Sequence, residues 1–556
     1  MRGPSASSAS LPTPVQERLA RLAPDQRVAA TADPGPVLCV APAGSGKTTT
    51  VVARLAWRVA EGVDPATICA LTFNRRAAEE LQERADAALE ELGWTPGSVR
   101  VSTFHALGRA ILADAGVDVE RIVAREDVLT ELAEGPLPSP ALRWLDDAFT
   151  RLKLDPEQGP PVSDVATHDA FAEYQAHLAR HGSIDLDDLV ARAAPALSDD
   201  PRLLARWRAR AAVLFIDEAQ DLDRTQLDLA ILLAGERRDI FLVGDDDQTI
   251  YAWRLADVRR VLSLAERLPG LRRVDLETNH RCAPEIVQRA ARLVAHNEER
   301  FTKRIRASPM ASGSVVLLPD SGDEVARARW LLTTWAQSSV AEPSQRRAVL
   351  ARTNRELVPY AALALELGLP YRVEADGLLL DDPDLLGVVD RAADRAADRA
   401  ADPATDPATG RALLPAPLLH ALQDGAAQAG LDAGRTSTLL GWAAPFGDLA
   451  SFRAELVARA ASRARLATDS AALTLATIHG TKGLEWDHVA CIGHDEGGFP
   501  SGHALRDAAD PRRVLEEERR LAYVAWTRAR QTLTIVYDPG APSMFLREAF
   551  DARELR

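Results

Sequence analysis

The chain has 556 residues, of which 46% are hydrophobic and 26% are charged. This composition is typical of a globular protein, and the length is enough for about three to five domains or subdomains. The formal net charge of −15 argues against a protein that coats nucleic acid with a uniformly basic surface. It is still compatible with a local basic channel, because binding depends on where the charges lie.

The cysteines and the apolar runs exclude further classes of protein. The four cysteines include no Cys-x-x-Cys pair, which argues against a zinc ribbon, an iron–sulfur cluster and a disulfide framework. No run of about 20 apolar residues occurs, and residues 1–10 are rich in Ser and Ala without the apolar centre of a signal peptide. We therefore expect a disordered tail at 1–10, no membrane span and a cytoplasmic location.

Lysine is rare in this chain. Only Lys47, Lys153, Lys303 and Lys482 occur among the 66 basic residues, so the other 62 are arginines. Where the chain needs a generic cation it uses arginine, and a remaining lysine is therefore a candidate for a site that a guanidinium group cannot fill.

Short apolar runs alternate with helical stretches along the chain. Buried strands are predicted at 37–40, 213–218, 240–244 and 485–493, and a helix is predicted from Thr48 through Val59. This alternation predicts an α/β fold with mainly parallel sheets.

Two long stretches without strand patterns interrupt the α/β pattern. Residues 109–204 and 373–473 are predicted to be mainly helical insertions. Within the second stretch, residues 390–402 repeat Asp-Arg-Ala-Ala before prolines break the pattern. We interpret the low-complexity part at 390–410 as a solvated helix or a disordered linker and assign it no chemistry.

A glycine-rich turn at 41–48, Ala-Pro-Ala-Gly-Ser-Gly-Lys-Thr, lies between a predicted strand and a predicted helix. The backbone N–H groups of such a turn bind phosphates at the helix N-terminus. Lys47 would neutralise the β- and γ-phosphates, and Thr48 would bind Mg²⁺. The alternative is a glycine turn with a surface lysine. The flanking strand and helix and the rarity of lysine favour the phosphate site.

Asp217 and Glu218 end the predicted strand at 213–218. Acids at the carboxyl edge of a parallel sheet suit a nucleotide site, where Asp217 would bind Mg²⁺ and Glu218 would orient and deprotonate the attacking water. Alone, such a pair is more often a solvated turn. Together with the phosphate-binding turn, it indicates a nucleoside triphosphatase.

Further motifs follow one another in an order that one family of enzymes shares. They are LAPDQ (22–26), APAGSGKT (41–48), LTFNRRAAEEL (71–81), STFHAL (102–107), DLDDL (185–189), FIDEAQDLDRTQ (215–226), VGDDDQTIYAWR (243–254), LETNHRCAPEIV (276–287), AVLARTN (348–354), TIHGTKGLEWDHV (477–489) and LEEERRLAYVAWTRAR (515–530). The chain resembles superfamily 1 DNA helicases of the UvrD/Rep/PcrA type over nearly its whole length. The resemblance also accounts for Ala41, where the strict phosphate-loop pattern has Gly.

The resemblance implies two RecA-like P-loop domains with ATP at their interface, each interrupted by a helical insertion. The first would comprise 11–108 and 205–278 with the insertion 109–204. The second would comprise 279–372 and 474–556 with the shortened insertion 373–473.

The resemblance also implies roles at the ATP site. Gln26 would read adenine, Gln248 would sense the γ-phosphate and Glu485 would hold the ribose. Arg281 and Arg528 would act as arginine fingers, although most of the arginines in such a chain are solvated surface charges. His280 stands where the family has an adenine-stacking Tyr. The expected nucleotide-binding turn comprises Ala41, Pro42, Ala43, Gly44, Ser45, Gly46, Lys47, Thr48 and Thr49.

A single-stranded DNA site is implied by the same motifs. Phe73, Tyr251 and Trp253 fall where the family stacks bases, although core packing is the usual role of a Phe. Phosphate or backbone contacts are expected from a second group of residues, of which the two histidines are equally compatible with structural roles: Arg75, Arg76, Thr103, His105, Arg254 and His479. Lys482 is expected to make an interdomain or DNA-backbone contact.

Two departures from the family bear on activity. The second insertion lacks a Thr-Gly-x-Tyr-like duplex-contacting turn, and residues 531–546 turn at Asp538-Pro539-Gly540 where the family has a strand-separating hairpin. We therefore expect strong ATPase activity and translocation on single strands, with weak duplex unwinding by the monomer.

We expect an ATP- and Mg²⁺-dependent 3′→5′ DNA helicase of repair or replication restart. It would act at the nucleoid, on single-stranded DNA and single-strand/duplex junctions, as a monomer or weak dimer with repair-protein partners. The alternatives are a translocase that strips proteins from single strands and an ATP-gated DNA clamp. RNA is also open as a substrate, because no motif reports on the 2′-hydroxyl.

Overall fold

The computed structural model describes residues 11–555, with the exception of 134, 136, 162, 320–323, 343, 374–386, 392–415, 429–435, 437–438, 441, 444–448 and 469. The predicted tail at 1–10 and most of the predicted repeat at 390–410 lie outside the described residues. The chain divides into two compact units, Met1–His280 with Glu298–Arg306, and Arg281–Asn297 with Ala307–Arg556.

The first unit is built on a parallel sheet of six described strands. The strands are Val37–Val40 (β1), Ile68–Thr72 (β2), Arg100–Thr103 (β3), Val213–Ile216 (β4), Ile240–Gly244 (β5) and Arg272–Asp275 (β6). Their order across the sheet is β3-β2-β4-β5-β1-β6, and each neighbouring pair is parallel. Two-residue strands follow at Thr278–Asn279 (β7) and Arg306–Ala307 (β8).

Alternate residues of these strands pack on opposite faces of the sheet. Val37 and Cys39 belong to one apolar cluster, whereas Leu38 and Val40 belong to another. Because both faces are covered, β1, β4 and β5 are continuous apolar runs, which is the pattern that predicted them. The α/β prediction is confirmed.

Helices cover this sheet and form the stretch between β3 and β4. The helices of the first unit are Thr13–Ala20 (α1), Pro24–Ala30 (α2), Lys47–Ala60 (α3), Arg75–Glu90 (α4), Phe104–Asp114 (α5), Arg125–Leu132 (α6), Ser139–Leu154 (α7), Val165–His181 (α8), Asp188–Ala191 (α9), Ala193–Asp199 (α10), Pro201–Arg210 (α11), Arg224–Ala234 (α12), Val258–Leu262 (α13) and Leu264–Arg267 (α14).

Buried ion pairs hold α7 against the DLDDL motif. Lys153 Nζ lies 2.8 Å from Asp185 Oδ2 and 2.8 Å from Asp188 Oδ1. Arg125 pairs with Asp185 at 3.0 Å and with Asp187 at 2.6 Å. Burial raises the pKa of Asp185, but Lys153 and Arg125 outweigh it and lower the pKa to about 2. The acidic motif therefore has a structural role, in which Lys153 is the buried countercharge.

The second unit contains another parallel sheet of six described strands. They are Ser314–Pro319 (β9), Arg347–Ala351 (β10), Tyr371–Val373 (β11), Leu473–Thr477 (β12), Trp486–Cys491 (β13) and Ala529–Tyr537 (β14). Their order is β11-β12-β10-β13-β14-β9, again with parallel neighbours throughout. The helices of this unit are Pro284–Val294 (α15), Glu324–Ala341 (α16), Asn354–Glu366 (α17), Ala416–Gln428 (α18), Leu449–Leu466 (α19), Gly502–Asp507 (α20), Pro511–Trp526 (α21) and Met544–Ala549 (α22).

The segment after Arg530 continues a central strand of this sheet. β14 runs parallel to both β13 and β9. A turn at 538–541 follows, in which Ala541 N donates to Asp538 O, and α22 begins at Met544. Residues 531–546 thus form a strand, a turn and the start of a helix, and they contain no hairpin.

All four cysteines are buried. Burial raises the pKa of the Cys39 and Cys491 thiols, and it raises that of Cys69 to about 12. Thiolates of these three residues are therefore scarce at neutral pH, which makes them poor nucleophiles. Over the described part of the chain, no helix combines the length and the apolar character that crossing a bilayer requires.

His494 lies after β13 and is completely buried. Its Nε2 accepts a hydrogen bond of 3.0 Å from the indole of Trp526, and burial lowers its pKa to about 4. An unfolded chain binds this proton near pH 6.5, so the unfolded state gains protons first as the pH falls. The contribution of neutral His494 to the free energy of unfolding is therefore fully present above about pH 6.5, and it is lost as the pH falls towards 4.

We therefore expect the melting temperature of the wild type to fall more steeply between pH 7 and pH 5 than that of His494→Gln, which keeps an acceptor for the indole. Thermal melts of both proteins in matched buffers measure the two slopes. Parallel pH profiles would show that His494 does not titrate as described.

Candidate nucleotide and nucleic-acid sites

The glycine-rich turn between β1 and α3 has the backbone geometry that anion binding requires. Gly44 and Gly46 adopt positive φ angles of 68° and 82°, and a Cβ on Gly46 would come within 2.5 Å of Gln26 Nε2. Helix α3 starts at Lys47 without a side-chain cap, so its first N–H groups point into this turn. The Ser45 hydroxyl is buried and has no hydrogen-bond partner among the described residues. The turn therefore fits a phosphate group.

Lys47 and Glu218 lie next to each other at this turn. Lys47 Nζ is 3.8 Å from Glu218 Oε2, and the two side chains are 14% and 18% exposed. Glu218 has a φ of 53°, which is uncommon outside glycine and costs backbone strain. Asp217 Oδ1 accepts a 2.9 Å hydrogen bond from Glu218 N. The acids predicted from the strand end thus lie beside the predicted phosphate loop.

Gln220 joins these acids to the next strand, a role that sequence analysis missed. Its Nε2 donates to Glu218 Oε2 at 2.7 Å, and its Oε1 accepts from Asp245 N at 3.0 Å. A Cβ on Gly244 would lie 2.4 Å from Gln220 Oε1, so only glycine leaves room for this contact. Gln248 Nε2 donates to Asp245 Oδ2 at 2.7 Å. The signal for Gln220 was its position two residues after Glu218 within the FIDEAQD motif.

Gln26 and His280 flank the same turn. Gln26 Nε2 donates to Ser45 O at 2.7 Å, and Gln26 Oε1 accepts from Ala23 N at 3.0 Å. The backbone N–H of His280 donates to Gly44 O at 2.8 Å. Gln26 therefore supports the loop directly, and the predicted adenine contact would use the second N–H and the second lone pair of its amide.

In the second unit, Glu485 lies between one predicted arginine finger, Arg281, and a further arginine, Arg530. Arg281 and Arg530 both pair with Glu485. Burial raises the pKa of Glu485, but the charges of Arg281 and Arg530 outweigh it and lower the pKa below its ordinary value. Sequence analysis assigned Glu485 to the ribose and did not foresee these ion pairs.

Arg528 is buried beside the same residues. Its Nε donates to Val524 O at 3.0 Å, and its Nη1 donates to Leu484 O at 3.2 Å. Arg281 Nη1 donates to Thr527 O at 3.3 Å. Backbone carbonyl groups of residues 484, 524 and 527 therefore hold the two predicted arginine fingers in place.

The three predicted base-stacking aromatics form a continuous platform on the first unit. Phe73 and Tyr251 are stacked with ring centroids 5.0 Å apart, and Tyr251 meets Trp253 edge-on at 6.1 Å. The Arg254 guanidinium lies 4.6 Å from the Trp253 ring centroid and 5.7 Å from that of Phe73. Trp253 is 56% exposed. We call these four residues the aromatic platform; its exposed ring and cation suit a single strand.

Comparisons with known proteins agree with this arrangement. Residues 22–269 match the UvrD/REP helicase N-terminal domain, and residues 448–539 match the UvrD-like helicase C-terminal domain. The chain is 30% identical to the ATP-dependent DNA helicase UvrD2 of Mycobacterium tuberculosis, over 95% of this chain and 81% of that protein. The chain belongs to the UvrD/Rep family of superfamily 1 helicases. The resemblance drawn from the motifs is thereby confirmed, as is the expectation of an ATP-dependent DNA helicase at the level of the family.

Two further members of the UvrD/Rep family match roughly two thirds to nine tenths of the chain. The DNA helicase II of Escherichia coli is 28% identical over 92% of this chain and 84% of its own length. The ATP-dependent DNA helicase Rep of Escherichia coli is 28% identical over 66% of this chain and 57% of its own length.

The remaining DNA candidates of this UvrD/Rep helicase lie on both units. Arg75 and Arg76 begin helix α4 and are exposed, and Arg75 Nε donates to Glu79 at 2.7 Å. Thr103 caps helix α5, because its hydroxyl accepts a 3.2 Å hydrogen bond from Ala106 N. Thr103 thus has a local structural role in addition to any contact with DNA.

The two candidate histidines are held neutral. Burial lowers the pKa of His105; the charge of Asp187 opposes this effect and that of Arg254 adds to it. His105 is therefore within electrostatic reach of the aromatic platform. In the second unit, burial and the charge of Arg352 lower the pKa of His479 to about 4. Neutral imidazoles can contact a strand by hydrogen bonds but do not add positive charge for its phosphates.

Proposed function

We propose that this protein hydrolyses ATP at the turn between β1 and α3 and uses the energy to move along single-stranded DNA in the 3′→5′ direction. Its relatives UvrD2 of Mycobacterium tuberculosis and Rep of Escherichia coli are named as ATP-dependent DNA helicases. One observation carries the proposal, a continuous series of contacts that starts at the phosphate turn. It runs from Lys47 through Glu218, Gln220 and Asp245 to Gln248. Gln248 is three positions before Tyr251 of the aromatic platform.

The chemistry of each residue follows from its position. Lys47 binds the β- and γ-phosphates of the substrate, and Glu218 orients the attacking water and accepts its proton. Gln248 detects the γ-phosphate through an amide that Asp245 already orients. Arg281 and Arg528 are the arginine fingers that the family motifs imply, and they would supply positive charge to the transferred phosphoryl group.

Mg²⁺ fits the donors that are present. The Thr48 hydroxyl and the Asp217 carboxylate offer the hard oxygen ligands that Mg²⁺ prefers, and Asp217 is adjacent to Glu218, which lies beside Lys47. When bound, the ion would neutralise negative charge on the phosphates.

We also propose the domain boundaries that the motifs imply. The first RecA-like domain comprises 11–108 and 205–278 with the insertion 109–204, and the second comprises 279–372 and 474–556 with the insertion 373–473. The two six-stranded parallel sheets support this division. The protein would act in the cytoplasm at the nucleoid, in DNA repair or replication restart, as a monomer or weak dimer with repair-protein partners, on single strands and their junctions with duplex.

A second candidate function is translocation with little duplex unwinding. Residues 531–546 continue the sheet as β14, a turn and α22, and they offer no hairpin that could separate strands. A motor with this structure would displace proteins from a single strand more readily than it would open a duplex.

We expect the monomer to translocate on single-stranded DNA and to unwind a long 3′-tailed duplex at least about tenfold more slowly than it translocates, because the strand-separating element is absent from 531–546. Translocation measured with end-labelled oligonucleotides, beside strand displacement on 3′- and 5′-tailed duplexes, tests both speed and polarity. Efficient unwinding by the monomer, or activity from the 5′ tail, would contradict this expectation. ATP hydrolysis that single strands do not stimulate would indicate the clamp.

A further inference from the structure

Lys303 is enclosed by three consecutive aspartates of the VGDDDQ motif. Its Nζ lies 2.6 Å from Asp245 Oδ1, 2.5 Å from Asp246 Oδ1 and 2.9 Å from Asp247 Oδ2, and none of the four side chains is exposed. An ammonium group has three donors on one atom, which suits three converging carboxylates, whereas a planar guanidinium does not. This explains a lysine at 303 in a chain that otherwise uses arginine.

A second cation joins Lys303 in the cluster. Arg300 pairs with Asp247 through two hydrogen bonds of 3.0 Å and 2.7 Å. Burial raises the pKa of Asp246 despite Lys303, whereas Lys303 and Arg300 outweigh burial at Asp247 and lower its pKa. Two cations, Lys303 and Arg300, thus face the three acids of this buried cluster.

Asp245 is the member of the cluster that reaches the nucleotide site. Its second carboxylate oxygen accepts from Gln248, and its backbone N–H donates to Gln220, which in turn holds Glu218. The Asp247 carboxylate instead meets Arg300 and Lys303. Lys303 therefore fixes a residue whose carboxylate orients Gln248 and whose backbone N–H orients Gln220.

Lys303 arrives from a separate part of the chain. The chain leaves the first unit at Arg281, returns to it for Glu298–Arg306 and leaves again at Ala307. Within this returning segment, Phe301 N donates to Asp246 Oδ2 at 2.8 Å, next to the contacts of Arg300 and Lys303. The segment is thus fastened to residues 245–247 at three places.

We propose that Lys303 is a positioning residue for ATP hydrolysis: it holds Asp245 so that Gln248 and, through Gln220, Glu218 face the phosphate loop. The inference rests on the proposed ATPase function. It assigns to the returning segment a part in hydrolysis, because a shift of Glu298–Arg306 would move Asp245 and, with it, both side chains.

A matched pair of isosteric variants tests the assignment. Asp245→Asn and Asp247→Asn each neutralise one buried carboxylate that contacts Lys303, but only Asp245 contacts Gln248 and Gln220. We expect Asp245→Asn to lower kcat for single-strand-stimulated ATP hydrolysis at least about tenfold, with KM for ATP and Kd for oligo-dT changed less than about threefold, and Asp247→Asn to keep kcat within about threefold.

Lys303→Met and Lys153→Met form a second pair, because Lys153 is equally buried between carboxylates away from Gln248. We expect kcat to fall only in the first. Equal kcat in the two Asn variants, or wild-type kcat in Lys303→Met, would overturn the proposal. If a Lys variant does not fold, the Asn pair decides alone. Failure of the proposed function would look different, since the wild type itself would then show no stimulation by single strands.

Discussion

Replacing Lys47 with alanine is expected to abolish ATP hydrolysis and every movement that depends on it. In the proposed site, the Lys47 ammonium group at the start of α3 would neutralise the β- and γ-phosphates, and Glu218 lies 3.8 Å from it. Without this ammonium group, the negative charges of the triphosphate and of the Glu218 carboxylate would repel each other with less compensation. We expect kcat to fall at least about 100-fold, as it does when a preorganised electrostatic contact to developing charge is removed.

Glu218→Gln separates binding from chemistry at the same place. Gln keeps the shape of the side chain and removes the carboxylate that accepts the proton, so we expect hydrolysis to be lost while nucleotide affinity is kept. Equilibrium binding of a fluorescent ATP analogue, beside steady-state ATPase rates and a melting curve for each protein, distinguishes the two variants. A Lys47→Ala protein that keeps more than about a tenth of the wild-type rate would refute the phosphate site.

Trp253→Ala is expected to weaken single-strand binding more than any other exposed aromatic change. Trp253 is the exposed end of the aromatic platform and carries Arg254 over its ring. Stacking a base on an aromatic side chain contributes about 1–3 kcal/mol, which corresponds to roughly 5- to 150-fold in Kd. The ATPase rate without DNA should stay at its wild-type level, because the nucleotide turn is unchanged.

Trp144→Ala is the matched control for Trp253→Ala. Trp144 is 51% exposed on helix α7, against 56% for Trp253, so both variants remove a similar exposed ring. Fluorescence anisotropy with labelled oligo-dT gives Kd for both, and the DNA concentration that half-saturates ATPase gives an independent value. Equal losses in the two variants, or none in Trp253→Ala, would place the DNA elsewhere.

The features that the sequence predicted best are those that depend on residues close together in the chain. The loop at 41–48 needs glycines at 44 and 46 because of positive φ angles, and a glycine pattern between a strand and a helix shows that directly. Phe73, Tyr251 and Trp253 were predicted by motif position, and the structure brings them together. The strands at 37–40, 213–216 and 240–244 were recognisable because they are buried on both faces of the sheet.

The sequence could not predict pairings that the fold creates between distant residues. Lys303 and Asp245 are 58 positions apart, and nothing near Lys303 indicates which acids it meets. The same holds for Arg281 and Glu485, whose ion pair joins the start of α15 to the loop before β13. The rarity of lysine was a valid signal for Lys153 and Lys303 as well as Lys47, but composition marks a residue as unusual without naming its partner.

The burial of the native cysteines favours site-specific fluorescent labelling of this protein. Because all four native cysteines are buried, a maleimide dye should react with a single introduced cysteine on the surface without any native residue being replaced. Met310, at 90% exposure, is one such position, as Met310→Cys. Single-molecule fluorescence could then follow individual proteins on DNA in an otherwise unaltered chain.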